Sequence, residues 1–332
     1  MVNQRDVAKL AGVSSATVSR YINSVGFISE DIKKRIAVVI DELNYQPNLI
    51  ARSLKMRNSN TIGFIFPDIE NTFFISLIKK AEEVAFESGY TVILCNTQND
   101  PEKEKLYIRA LKGKMVDGFI IITSFKSKEY LEKALKGEKV VFLDRDVGMH
   151  ETVVKLDNAR GIEMAVDYLT GLGHRKIGYI NVKPDFTIGL ERLEGYQSGL
   201  KKAGIEYDQS LVKFSGFSIE SSYEKTKELF SQKTQPTALI PISNRITIGA
   251  LRALKDLKIK IPDDVSVVGF DDITTADLLT PPLTVIEQPA YDFGDVAIKI
   301  LIEKINGTDN AIRIINLEPE IIIRESCKKL SG

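Results

Sequence analysis

The chain contains no tryptophan, and only two cysteines and two histidines among its 332 residues. Cys95 and Cys327 lie far apart and give no metal-ligand spacing, and such sparse thiols suit a reducing cytoplasm. His150 and His174 are the only imidazoles, and neither lies near a paired nucleophile; His174, in GHRKI just before a strand, reads as structural. No segment approaches the ~18 unbroken apolar residues of a membrane span. The N-terminal residues hold no apolar signal-peptide core, so a cytoplasmic protein is expected. There is no GxGxxG after a strand, no Walker-type phosphate loop and no nucleophile elbow. The expectation is a protein without catalytic residues, cofactor or metal.

Net charge is absent overall, yet unevenly spread. Residues 1–57 carry nine Lys/Arg against five Asp/Glu, a net +4 that leaves −4 for the remainder. A basic head on a larger acidic body points to a polyanion as the head's partner. A chain this long suggests two or three domains.

In the head, Val7, Ala8, Leu10 and Ala11 recur at helical spacing, and Gly12 supplies the left-handed residue that ends a helix. Ser14 can cap a second helix, on which Val18 and Ile22 form the buried stripe. Ser15, Ala16, Ser19 and Arg20 fall largely off that stripe. A third helix, about residues 30–43, buries Ile32, Ile36, Val39, Ile40 and Leu43. Helix, tight turn and helix, with short groups near the second N-terminus, is what a major groove admits. Bulky side chains would hold the backbone off the bases, whereas arginine reaches guanine O6 and N7 together. The bland reading is a three-helix bundle with a polar surface. After it, Pro47 suits a first helical turn, and 48–54 offers about two turns, too short to be stable alone in water. The polar run 55–60 marks the boundary with the body.

From residue 61 strands and helices alternate. Strands are expected at 62–66, 91–95, 119–123, 140–143, 177–181, 238–242 and 265–270. Helices are expected at 72–88, 101–112, 128–136, 159–172, 189–203, 219–232 and 246–257. Such alternation argues parallel sheets covered by helices, and two successive runs suggest two lobes facing a cleft. Ligands of such sheets bind at the carboxyl ends of strands.

RDVAKLAGVSSATVSRYIN followed by YQPNLIARSLK resembles the head and hinge of the LacI/GalR family of bacterial transcription regulators. Family-like stretches continue in order: IGFIFPDIENTFF, VDG, LDR, GHR, RLEGY and VVGFDD. The resemblance implies an all-α helix-turn-helix head (1–46), a hinge helix and linker (47–60) and an α/β body (61–332). That body has the two-lobed fold of periplasmic sugar-binding proteins. Lobe 1 would hold about 61–157 and 289–317, and lobe 2 about 158–288 and 318–332. Crossings would fall near Asp157, Gln288 and 317–320, with a helix at 291–305 returning to lobe 1 and a last strand at 321–324 returning to lobe 2. It implies base reading by Ser15, Ala16 and Arg20, with Ala16 limited to apolar contact and Arg20 the main reader unless it meets only phosphate. Ser14, Thr17, Ser19 and Asn23 join that surface, and Asn48, Ala51 and Leu54 come from the hinge. The matching leucine wedges into the minor groove, as Leu54 would here; Leu49, Ile50 and Leu54 also suit a hinge–hinge contact. No terminal leucine heptad is present, so a twofold dimer on a pseudo-palindromic operator is expected.

Strand ends and the loops after them nominate the effector contacts: Phe73, Phe74, Asp144, Arg145, Arg192, Phe217, Asn244 and Asp271. The phenylalanines also suit a core, and each charged residue also suits an ion pair. One segment departs from the family, which usually has Asn or Thr followed by Asp where this chain has Asn244-Arg245. Three arginines, Arg145, Arg192 and Arg245, would then converge on the cleft and select an anionic effector, a sugar acid or sugar phosphate. Arg245 paired with Asp271 or Asp272 is the rival. The function implied is an effector-controlled repressor of a carbohydrate-utilisation operon.

Overall fold

The computed structural model describes residues 2–22, 25–45, 58–125, 127–184, 186–271 and 276–330. These form two compact units, residues 1–59 and 60–332. In the first, α1 (Gln4–Leu10), α2 (Ser15–Ile22) and α3 (Glu30–Glu42) enclose Val7, Ala8, Ala11, Val18, Ile36 and Val39. Asn3 starts α1 through a capping box: its side chain accepts from Arg5 N–H at 2.8 Å, and Asp6 accepts from Asn3 N–H at 2.9 Å. Gly12 takes φ +63° after α1, a conformation a Cβ disfavours. Ser14 Oγ accepts from Thr17 N–H at 3.1 Å and so caps α2.

The second unit contains two six-stranded sheets. In chain order the elements are β1 (Thr61–Phe66), α4 (Thr72–Glu87), β2 (Thr91–Asn96), α5 (Pro101–Gly113), β3 (Gly118–Ile121), α6 (Glu129–Ala134), β4 (Val140–Leu143) and β5 (Thr152–Leu156). There follow α7 (Asn158–Gly171), β6 (Ile177–Val182), α8 (Thr187–Lys202), β7 (Val212–Ser215), α9 (Ile219–Phe230), β8 (Ala238–Pro241), α10 (Asn244–Asp256) and β9 (Ser266–Phe270). The chain ends with β10 (Thr284–Glu287), α11 (Ala290–Asn306), β11 (Ile314–Leu317) and β12 (Glu320–Ile322). Strand order is β11-β5-β4-β3-β1-β2 in one sheet and β12-β10-β9-β8-β6-β7 in the other. The first is wholly parallel; in the second, β12 runs antiparallel to β10, a departure from the expected parallel pattern.

The chain passes between the sheets at 157, around 288–289 and at 318–319, and the first passage starts against the end of β11, Asp157 N–H donating to Leu317 O at 2.9 Å. Helix α11 returns to pack on α4, β3, β4 and β5 of the first sheet. Strands β5, β7, β10 and β11 lie outside the sequence expectation. Each is four or five residues long. Strand β11 is also an edge whose side chains remain partly exposed.

Close helix packing depends on glycine at particular points. A Cβ at Gly195 of α8 would lie 2.8 Å from Ala159 Cα of α7, so only hydrogen fits there. Beneath it Tyr196 stacks on Tyr179 with centroids 4.4 Å apart, and its hydroxyl donates to Ile177 O at 2.7 Å. The RLEGY stretch therefore serves packing through Gly195 and Tyr196, and the cleft through Arg192. His174 is buried between Thr237 Oγ1 (3.0 Å) and Lys328 O (3.2 Å), a structural role that pins the C-terminal segment.

Candidate functional site

The head exposes Ser14, Ser15, Ala16 and Arg20 along the start and outer face of α2, with Thr17 and Ser19 half-buried. Thr17 Oγ1 lies 2.9 Å from Ser14 Oγ. Gln4, which the sequence reading passed over, donates from Nε2 to Ser15 O at 2.8 Å and ties the start of α1 to the start of α2. Asn23, Asn48, Ala51 and Leu54 lie outside the described residues.

In the body, among the described residues, two openings lie between the sheets, and the expected residues line the narrower one. It is lined by Phe73, Phe74, Asp144, Arg145, Arg192, Phe217, Arg245 and Asp271, all expected from sequence. Asn244 stands beside it and bridges the lobes, donating from Nδ2 to Asn71 Oδ1 (2.8 Å) and Thr72 Oγ1 (3.0 Å). Asp68, Asn71, Asn99, Ile188, Ser243 and Gln288 complete the lining.

The two lobes present matched aspartates. Asp144 follows β4 and Asp271 follows β9, with φ +62° and +68°. Each N–H donates to the neighbouring strand, Asp144 to Val154 O at 2.9 Å and Asp271 to Ile286 O at 2.8 Å. Left-handed backbone at a non-glycine residue is sparse and concentrates at functional sites. Burial pushes both carboxyls above the usual range, and the guanidinium charges nearby pull part of the way back, Arg145 and Arg192 on Asp144 and Arg192 on Asp271.

The arginines are held rather than free. Arg145 donates from Nη1 to Thr123 O and from Nη2 to Asn99 Oδ1, both at 2.8 Å. It faces Phe186 and Phe217 at 5.1 and 5.2 Å from the ring centroids. Arg192 donates from Nε to Asn158 Oδ1 at 2.8 Å and from Nη1 to Ile242 O, and lies 3.8 Å over Phe270. Arg245 reaches across to Glu70 at 2.6 Å and Asp68 at 3.3 Å. The three arginines expected to converge on the cleft all line the cavity, and each already has partners of its own within the protein. The rival pairing of Arg245 with Asp271 is not formed, since its partners come from the other lobe; Asp272 lies outside the described residues.

Beneath Arg145, fully buried Glu104 accepts from Thr123 Oγ1 (2.7 Å) and from Ser124 N–H. Burial pushes Glu104 above the usual carboxyl range, with these hydrogen bonds and the Arg145 charge opposing. Phe73 and Phe74 belong to the core and the cavity wall alike, Phe73 packing edge-on against Phe293 at 5.4 Å. Among the described residues no helix is long and apolar enough to cross a membrane.

Residues 4–48 match the family model for bacterial regulatory proteins of the lacI family, and residues 166–327 that for a periplasmic binding protein-like domain. The chain is 38% identical over 325 residues to the HTH-type transcriptional regulator RegA of Clostridium saccharobutylicum, covering 97% of this chain and 98% of the relative. It is 33% identical to the HTH-type transcriptional repressor PurR of Photobacterium profundum, with each covered in full. In fold it superposes on the Lac repressor dimer bound to operator and the anti-inducer ONPF. There the TM-score is 0.89 at 24% identity, over 98% of this chain and 99% of that one. With a helix-turn-helix head and a cleft between two α/β lobes, the chain belongs to the LacI family of DNA-binding transcriptional repressors.

Proposed function

We propose that this protein represses a carbohydrate-utilisation operon in the cytoplasm, as a twofold dimer on a pseudo-palindromic operator. A small neutral, hydroxyl-rich effector in the interlobe cleft sets its affinity for DNA. In the head (1–46), Ser15, Ala16 and Arg20 face base edges and Ser14, Thr17 and Ser19 face the backbone; the linker (47–60) joins it to the effector-binding body (61–332). The observation that carries the effector class is a balance of unused polar atoms around the cleft. Two buried donors, Arg145 Nε and Arg245 Nε, and two buried acceptors, Asn244 Oδ1 and Gln288 Oε1, have no hydrogen-bond partner among the described residues. Unpaired buried polar groups are costly, and a hydroxyl, which both donates and accepts, relieves both kinds. The charges lining the cavity also cancel, Asp68, Asp144 and Asp271 against Arg145, Arg192 and Arg245. A sugar acid or sugar phosphate would add an unbalanced charge to arginines that carboxylates and carbonyls already hold.

The test is thermal shift of the full chain against neutral sugars, sugar acids, sugar phosphates and purines. A ligand at ~100 times its dissociation constant adds ~2.7 kcal/mol, a readable rise in Tm. A neutral sugar is expected to give the largest rise. A larger rise from an acid or phosphate would restore the anionic effector, and one from a purine would move the regulated genes away from carbohydrate use.

A further inference from the structure

Taking the interlobe cleft as the effector site, we propose that the protein latches this cleft shut with its own side chains. The latch is the bridge from Arg245 to Glu70 and Asp68, and a ligand gains the cavity only when that bridge parts. The free space between its walls is about 40 Å³, room for a few waters at roughly 10–15 Å³ each. Ligand pockets run to roughly 300–1,000 Å³. The walls beneath Arg245 must therefore separate before a sugar-sized molecule fits between them, although a wider opening of about 650 Å³ adjoins them on the side of the chain crossings, at Phe73, Asp271 and Gln288.

Exposure places the bridge at the rim. Asp144, Arg145, Arg192 and Asp271 are 2–5% exposed, whereas the side chains of Arg245, Asp68 and Glu70 are 19%, 24% and 74% exposed. Arg245 stands in the first turn of α10, where the helix dipole disfavours a cation and no acidic residue of that turn offsets it. Its contacting carboxylates lie on the far lobe, so this ion pairing exists only with the lobes together. Glu220 of the same lobe adds a longer-range attraction. The guanidinium meets both carboxylates through Nη1, and its buried Nε has no partner among the described residues. The described residues join the lobes by four further ties: Asn244 to Asn71 and Thr72, Thr187 Oγ1 to Asp146 O at 2.7 Å, Arg145 against Phe186 and Phe217, and the ion pair of Lys155 with Glu191 at 2.6 Å. The bridge is the most exposed of these ties, and so the first that water and salt weaken.

The absence of tryptophan supplies the test. In the full chain, Phe217→Trp places a lone indole on the cavity wall, and acrylamide quenching reads solvent access without any ligand or DNA. Adding Arg245→Glu or Glu70→Arg singly should raise the open fraction by up to about fivefold, the effect of ~1 kcal/mol. The charge-swapped pair carrying both changes should bring quenching back towards the parent. Urea unfolding followed by far-UV circular dichroism verifies that each variant folds, with Arg245→Ala and Glu70→Ala as substitutes for one that does not. Equal quenching in parent and single variants, or no recovery in the swapped pair, overturns the latch. Because no effector enters the experiment, a latch that fails here leaves the effector reading to its own thermal-shift test.

Discussion

Glu104 shows how a single residue reaches the cleft without lining it. It fixes Thr123 and Ser124, and Thr123 O in turn receives Arg145. Because its pKa is raised in the folded protein, its stabilising contribution is fully present below the ordinary value of 4.5 and is lost as pH rises through the raised value. Glu104→Gln removes that titration while keeping an amide able to bond the same loop. Urea midpoints should therefore shift in favour of the wild type as pH falls from 8 towards 4.5, relative to the variant. An unchanged difference across that range would mean that Glu104 ionises as in water. At the head, Arg20→Ala should lose about 1–3 kcal/mol of discrimination between an operator selected in vitro and random duplex, read by fluorescence anisotropy. Equal loss on both duplexes would make Arg20 a phosphate contact.

At the scale of elements, helix contacts are set by residues that offer no side chain. Gly195→Ala drives a methyl into the Ala159 backbone, where no flexible side chain can yield. Overpacking of this kind costs typically ~1–3 kcal/mol, and the urea midpoint should fall accordingly, with α7 and α8 losing hydrogen-exchange protection first. The helices were legible in the sequence because Gly12 and Ser14 punctuate the head and apolar periods run long in the body. The strand-end rule likewise found Asp144, Arg145 and Asp271. It passed over Asn71 and Asn99, which sit in loops with ordinary local roles; Asn71 already caps α4 by accepting from Phe73 N–H at 3.0 Å. Nor could any local pattern give Arg245 its partners. Glu70 lies 175 residues away, and only the facing of two lobes brings them together.

For the whole molecule, the basic head predicts binding to duplex DNA whose log affinity falls linearly with log salt concentration. The slope should be about −0.9 for each phosphate neutralised. Anisotropy titrations between about 50 and 200 mM salt measure it, and a flat response would count against the head as a polyanion-binding unit. Salt should also loosen the interlobe bridge, so DNA and effector measurements belong at one ionic strength.

The passage of the chain between lobes bears on how the protein is made. Strands β1 to β5 are synthesised early, but α11, which supplies Phe293, Ala297, Ile298 and Leu301 to the buried core, emerges from the ribosome only after the second lobe's sheet is nearly complete. The first lobe thus waits, with one face of β3, β4 and β5 uncovered, through the translation of more than 130 residues between Leu156 and Ala290. Domains generally fold as they leave the ribosome, N-terminal first, and exposed apolar surface at that stage invites aggregation. Nascent chains halted before residue 290 should therefore require chaperone protection that chains halted after residue 317 do not.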